Sequence, residues 1–409
     1  MGPKILIRLL IALAVIGGIA AALHFKGSGG VSEVTSSTSK KKVFADFPIN
    51  DVAAIEIRAK DASLTLSKGE TAWEVKERDG YTANTEPIFS LLVELWDLNI
   101  AQPVTIGRAQ FGRLSLVAPD EATSEEEAAT ILTFRDVEGK DLASLWLGKV
   151  YERSTNRPNP FGGGMATAEA GRYIKPGSSN SVYLVGNIFE AVETDPSKWI
   201  DKSFFQVDKI KTIEFKSEEK SNNWKLVREK ADGDFTLVGA GKEEVLDQAK
   251  VSSMRGAFGN AQLEDVITGE SIAEYPTGKT SFAISTFEGF SYRISLGEKS
   301  DLNELSLSLK VSAELQKERK AGEDESEEDK DRLDKAFDAE LNTQKAKLKK
   351  EKALEGHLFK VRSYLVDSIS KPRAELMVSE EAPAEGTEIA PGITLPPGFQ
   401  GLQPGGPGN

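Results

Sequence analysis

The sequence predicts an α+β protein: two tandem, internally duplicated lobes of mostly antiparallel sheet with packed helices, one N-terminal transmembrane helix and a charged helical insertion. Three observations predict it. A nineteen-residue apolar run opens the chain, a nine-residue strand pattern recurs about halfway along it, and a block of acids and lysines interrupts the last strands. The 409 residues carry 51 Lys and Arg against 64 Asp and Glu, a net charge of −13, with 39% hydrophobic residues. That hydrophobic share is enough for packed cores, and the acidic balance excludes a nucleic-acid footprint. The absence of cysteine, with only two histidines (His24 and His357), removes thiolate metal sites, cysteine nucleophiles and histidine triads.

Residues 1–26 read as a transmembrane anchor. Positions 5–23 are apolar except for Arg8, and nineteen residues at about 1.5 Å each reach roughly 28 Å, the hydrocarbon thickness of a bilayer. Lys4 and Arg8 precede the span, so the positive-inside tendency puts the N-terminus in the cytoplasm and the body outside it. The expected location is the inner membrane, single-pass, with the body in the periplasm or otherwise extracytoplasmic. The small residues Ala20, Ala21 and Ala22 leave cleavage as a signal peptide open. Residues 27–42, rich in Gly, Ser and Thr, form a flexible linker spanning about 20–24 Å root-mean-square.

The body divides into a first repeat, residues 43–200, and a second, residues 201–378. Val52, Ile55 and Ile57 recur as Ile210, Ile213 and Phe215, and a tryptophan follows in each strand-like run, Trp73 and Trp224. A helix is predicted next over residues 85–98, capped by Asn84 or Thr85, with Phe89, Leu92, Val93 and Trp96 on its buried face. Its counterpart spans residues 242–258, with Val251, Met254 and Phe258 in the matching places. Alternating strands follow in both: residues 129–134, 142–148, 172–175 and 181–185, then 281–286, 292–297, 304–311 and 358–361. Hairpin-like connections favour antiparallel sheets over βαβ crossovers.

Within the second repeat, residues 312–356 form the helical insertion. Acids come early and lysines late, which suits one long helix over residues 327–355 by its dipole, with Leu333, Phe337, Leu341 and Leu348 as a narrow apolar stripe. Residues 313–321 would be a shorter partner helix turning at Gly322. The segment reads as a solvated hairpin or as a docking arm, and its removal over residues 314–355 is predicted to leave the fold intact. The acidic run 323–329 lacks the alternating ligands of a calcium loop. Residues 379–409, rich in Pro and Gly, form a disordered tail.

No residue qualifies as catalytic, cofactor-binding or metal-ligating, and no cofactor is implied. Gly239 to Lys242 resembles a phosphate loop only in part: Thr236 stands where the first glycine belongs, and Glu243 where a Ser or Thr would hold magnesium. Gly162, Gly163 and Gly164 read as a flexible loop. The five tryptophans, Trp73, Trp96, Trp146, Trp199 and Trp224, could stack on sugars, but most of them sit on apolar faces and core packing is the better reading.

Phe47, Val52, Ile55 and Ile57, the Trp73 strand, Tyr81, the helix with Trp96, and Phe111, Gly112, Leu114 and Pro119 together resemble the bacterial domain-of-unknown-function family 4340, with Arg113 interrupting the usual spacing. The strands holding Leu145 to Gly148 and Ser181 to Val185 also fit. The resemblance covers residues 43–200 and, as a weaker second copy, 201–375. It implies a protein anchored by one N-terminal helix and encoded beside ABC transporters related to gliding motility. The expectation is a non-enzymatic accessory or scaffold subunit of an ABC-transporter-type envelope assembly. Its partners would be the inner membrane and transporter subunits, with docking through the 312–356 arm. The alternative is a module binding envelope polymer or ligand; a carboxylate-dependent hydrolase has no residue in its favour.

Overall fold

The computed structural model describes residues 41–378 apart from 159–164, 178, 276 and 321–324. The anchor, nearly all of the linker, the triple glycine and the tail lie outside the described residues. Among the described residues, no helix is long and apolar enough to cross a membrane.

The fold is α+β, with two antiparallel sheets and a few helices. The first sheet contains β1 (Ala54–Arg58), β2 (Ser63–Lys68), β3 (Trp73–Val75), β4 (Tyr81–Thr82), β5 (Ile100–Val104), β6 (Thr130–Arg135), β7 (Asp141–Pro158), β8 (Met165–Pro176) and β9 (Val182–Val185). Its order is β4-β3-β2-β1-β6-β7-β8-β9-β5. The second contains β10 (Ile210–Ser217), β11 (Trp224–Val227), β12 (Thr236–Leu237), β13 (Asp265–Ile267), β14 (Thr277–Thr286), β15 (Phe290–Gly297), β16 (Glu304–Ala313) and β17 (Leu358–Arg362). Its order is β12-β11-β10-β14-β15-β16-β17-β13.

From β1 and β10 onward the two orders coincide: β6, β7, β8, β9 and β5 answer to β14, β15, β16, β17 and β13. Register agrees as well. Ile55 and Ile57 face Phe134 and Leu132, while Ile213 and Phe215 face Ile284 and Phe282. All eight side chains are buried, which is what pins register when one sheet face is apolar. The tryptophan correspondence fails, however. Ile57 faces Leu64 on β2, whereas Phe215 faces Trp224 on β11. Trp224 therefore takes the place of Leu64, and Trp73 lies one strand further out, on β3. The first sheet has one more strand on this side, and one large ring cannot tell two neighbouring alternating strands apart.

The sheets respect the division near residue 200, but compactness does not. One unit gathers the described residues up to Ile49, Val93–Ala129 and Leu145–Phe189; the other gathers Asn50–Leu92, Thr130–Ser144 and the described residues from Glu190 on. The tandem boundary between 200 and 201 thus gives way to interleaved units. The reason lies in contacts inside the second unit. Arg78 grips Asp265 of β13 with Nε and Nη2 at 2.7 Å each. Thr268 Oγ1 donates to the Glu77 carbonyl at 3.3 Å, and Ala83 bridges to Ile200.

Tyr81 also meets the rings of His357 and Phe359 edge-on at 5.3 and 6.0 Å. Burial pushes the His357 imidazole below its ordinary value of 6.5, against the opposing charge of Asp79. The folded imidazole resists protonation more than the unfolded one, so its contribution to stability is present above about pH 6.5 and is lost as pH falls through the lowered folded value. Urea unfolding from about pH 7.5 to 5 is expected to show a steeper decline for the wild type than for His357→Phe. Parallel curves would refute the assignment.

In the first unit, Phe111, Leu116 and Val182 centre a small core lined by Val104, Ile106, Trp146 and Tyr173. Gly148 lies against it so closely that a Cβ would collide with the Leu114 carbonyl oxygen, which explains a glycine inside a strand. Lys175, 5% exposed, sets its Nζ 3.4 Å from the centre of the half-buried Trp146 ring. Burial first, and the charge of Arg108 second, lower its ammonium to about 8.

Helix α1 (Thr85–Trp96) forms where predicted but turns a different face inward. Ile88, Leu91, Leu92 and Leu95 are buried, while Phe89 and Trp96 are 38% and 48% exposed. Two apolar stripes compete on this helix, and the aliphatic one wins. Lys42 covers Trp96 instead, its Nζ 3.9 Å from the ring centre. Trp96→Ala is expected to cost about 1 kcal/mol or less, against roughly 3–5 kcal/mol for Trp73→Ala. Equal losses in denaturant unfolding would contradict these placements.

The second predicted helix shrinks to α2 (Gln248–Val251) and a following 3-10 turn. Asp247 caps it, but the polar residues before it offer no apolar face, and Phe258 takes a φ of 61°. Val251, Met254 and Phe258 are nonetheless buried as expected. The core of the second unit is an aromatic row: Tyr292 to Phe205 (6.1 Å), Phe258 (5.4 Å), Phe282 (6.0 Å), Phe215 (5.3 Å) and Trp224 (5.5 Å). Trp73, Trp199 and Trp224 are buried, so their faces are not available to a sugar.

Candidate functional site

The charged segment forms helix α3 (Glu327–Lys352), close to its predicted bounds. Ser326 caps it, accepting the Asp329 N–H at 3.2 Å, with Glu327, Glu328 and Asp329 in the first turn and Lys349, Lys350 and Lys352 in the last. Both ends complement the helix dipole. Leu333, Phe337, Leu341 and Leu348 are half-buried, as a narrow stripe should be. The shorter partner helix does not form among the described residues. The described residues 314–320 form no helix, and Arg319 instead pairs with Glu325 and with Asp334 (2.8 Å).

The helix is rooted at its C-terminal end. Glu351 continues the stripe into the body and is only 3% exposed. Its Oε1 accepts the Gln206 N–H at 3.1 Å and forms an ion pair with Lys347 at 3.1 Å, and its Oε2 accepts the Tyr292 hydroxyl at 2.9 Å. Burial, then the charge of Glu351, raise the Tyr292 phenol far above its ordinary value, so it stays a donor. Leu354 is buried, Glu355 accepts the Val311 N–H at 2.7 Å, and the Glu314 N–H donates to the Gly289 carbonyl at 2.9 Å. The ends of the insertion therefore belong to the sheet. Removal of residues 314–355 would strip partners from Tyr292, Gln206 and Val311, contrary to the expectation that the fold survives.

Beside this root opens a cavity of about 460 Å³, lined among others by Lys202, Asn260, Gln262, Lys347, Lys350 and Glu351. Three ammonium groups and one carboxylate give it a positive balance within an acidic chain. Tyr292 and Glu351 hold each other by a hydrogen bond, an arrangement that positions and orients both groups. Among the described residues, no group of three or more His, Asp or Glu could hold a metal ion. The Gly239 turn forms no cradle: the Gly241 N–H donates to Glu244 at 2.6 Å, and Glu244 is gripped by Arg373 at 2.7 Å.

Sequence reasoning named none of these site residues. Tyr292, Gln206 and Glu351 lie 59 and 145 positions apart, and a glutamate inside a lysine run reads as solvated. The one available signal was spacing, since Glu351 stands three residues after Leu348 on the apolar stripe.

The family Domain of unknown function (DUF4340) matches residues 160–279, from the segment after β7 across β8 to β13 and into β14. The match spans the junction of the two repeats rather than coinciding with the first. No curated protein and no solved structure matches the chain. The resemblance read from the strand and aromatic pattern is borne out at this level: residues 160–279 match the model of the DUF4340 family.

Proposed function

We propose that this chain is a non-enzymatic accessory or scaffold subunit of an ABC-transporter-type envelope assembly, held in the inner membrane by residues 1–26 with its body in the periplasm. The observation that carries the reading is helix α3: 26 residues, about 39 Å long, charged along its exposed length and anchored by a buried Glu351. An exposed helix with a fixed root presents its charges in one orientation, which suits recognition of a partner surface. The apolar span at residues 5–23, preceded by Lys4 and Arg8, supports the membrane placement.

Two measurements test it. An extracytoplasmic-only reporter fused after Lys42 is expected to be active, and a cytoplasm-only reporter inactive. Purification in mild detergent should retain transporter subunits, and reversing Lys345, Lys349 and Lys352 to Glu should release them. Activity of the cytoplasmic reporter would overturn the location. Undiminished co-purification of the triple variant would overturn docking through α3.

A further inference from the structure

We infer that the cavity beside the root of α3 binds a small acidic saccharide, a sugar carrying one carboxylate and several free hydroxyls. The cavity lies wholly within the second unit, and about 460 Å³ falls inside the usual size range of small-ligand clefts.

Its positive groups are not equivalent. Lys347 is committed, pairing with Glu351 at 3.1 Å and Asp208 at 3.7 Å. Lys202 and Lys350 line the same cavity and have no hydrogen-bond or ion-pair partner among the described residues. Two unpaired ammonium groups on concave walls focus positive potential and favour an oxyanion. The side-chain amides of Asn260 and Gln262 are also without hydrogen-bond partners among the described residues. Each offers a carbonyl acceptor beside an NH2 donor, a pattern that complements sugar hydroxyls.

Glu351 sharpens the choice. An ionised carboxylate accepts about four hydrogen bonds, and this one accepts two beside its ion pair with Lys347, leaving capacity for a hydroxyl donor. A phosphate dianion would engage the lysines but press its second charge against Glu351. A neutral sugar would engage the amides but leave both lysines unpaired. A monoanionic polyol uses all of these groups at once. Phe204, 7% exposed, adds an apolar wall patch for the C–H face of a sugar ring. A sugar in this cleft and a transporter on the exposed length of α3 are separate events, and a sugar titration reads only the first.

Isothermal titration of the full chain in mild detergent with glucuronate, glucose and inorganic phosphate tests the inference. Glucuronate should bind at one site with Kd of about 10 μM to 1 mM, with glucose and phosphate at least about tenfold weaker. Lys202→Gln with Lys350→Gln, and separately Asn260→Ala with Gln262→Ala, should each weaken glucuronate by about tenfold or more. All four side chains are exposed, so an unchanged thermal melt should accompany both losses. The inference is overturned if glucuronate gives no saturable binding, if either double variant binds it as the wild type does, or if phosphate binds equally well.

Discussion

Glu351→Ala is expected to destabilise the second unit by roughly 3–5 kcal/mol, because it strands buried donors rather than removing a surface charge. Without the carboxylate, the Tyr292 hydroxyl keeps only the Gln206 carbonyl at 3.2 Å, the Gln206 N–H loses its acceptor, and Lys347 loses its nearest counter-charge. Glu351→Gln keeps one acceptor oxygen, which serves the hydroxyl or the amide but not both in their present places, and should lose about half as much. Denaturant unfolding followed by far-ultraviolet circular dichroism reads both. A loss below about 1 kcal/mol for the alanine variant would mean that α3 is a free arm and that its last turn merely rests on the body.

Arg78→Ala should cost a similar roughly 3–5 kcal/mol, since Asp265 would be left buried and unpaired on β13. The two side chains are only 18% and 13% exposed, and Asp265 additionally accepts the Val266 N–H at 2.8 Å. Arg78→Lys should recover little of that, because a single ammonium cannot reproduce the two parallel hydrogen bonds of the guanidinium. The larger consequence concerns domain boundaries. A fragment beginning at residue 201 lacks Arg78 and Tyr81, which the second unit packs against Asp265, His357 and Phe359. It is therefore expected not to fold cooperatively, whereas a tandem division near residue 200 would allow it to. A sharp two-state melt of that fragment would restore the tandem division.

The residues of this chain already specify its two sheets. Alternation of apolar residues places Ile55, Ile57, Ile213 and Phe215 on one face, and the recurrence of that pattern announces the repeated strand order seen from β1 and β10 onward. Strands β5 and β13 escape the same reading. One spans Ile100–Val104 with exposed residues and a proline, the other only Asp265–Ile267 with every side chain buried, so neither alternates. Charge order along α3 is likewise local, and its bounds follow from Ser326, the early acids and the late lysines.

Tertiary structure alone decides which of two stripes α1 buries, because Phe89 with Trp96 and Ile88 with Leu95 are equally helical in spacing and differ only in what they pack against. It alone decides that Trp224 answers to Leu64, a matter of strand pairing rather than of residue type. It also decides that Glu351 is buried. A carboxylate can leave water only where partners meet it, and Tyr292 and Gln206 reach it from 59 and 145 positions away along the chain. Local pattern sets the period and capping of each element. Burial of polar groups is set by long-range pairing, which no sequence window contains.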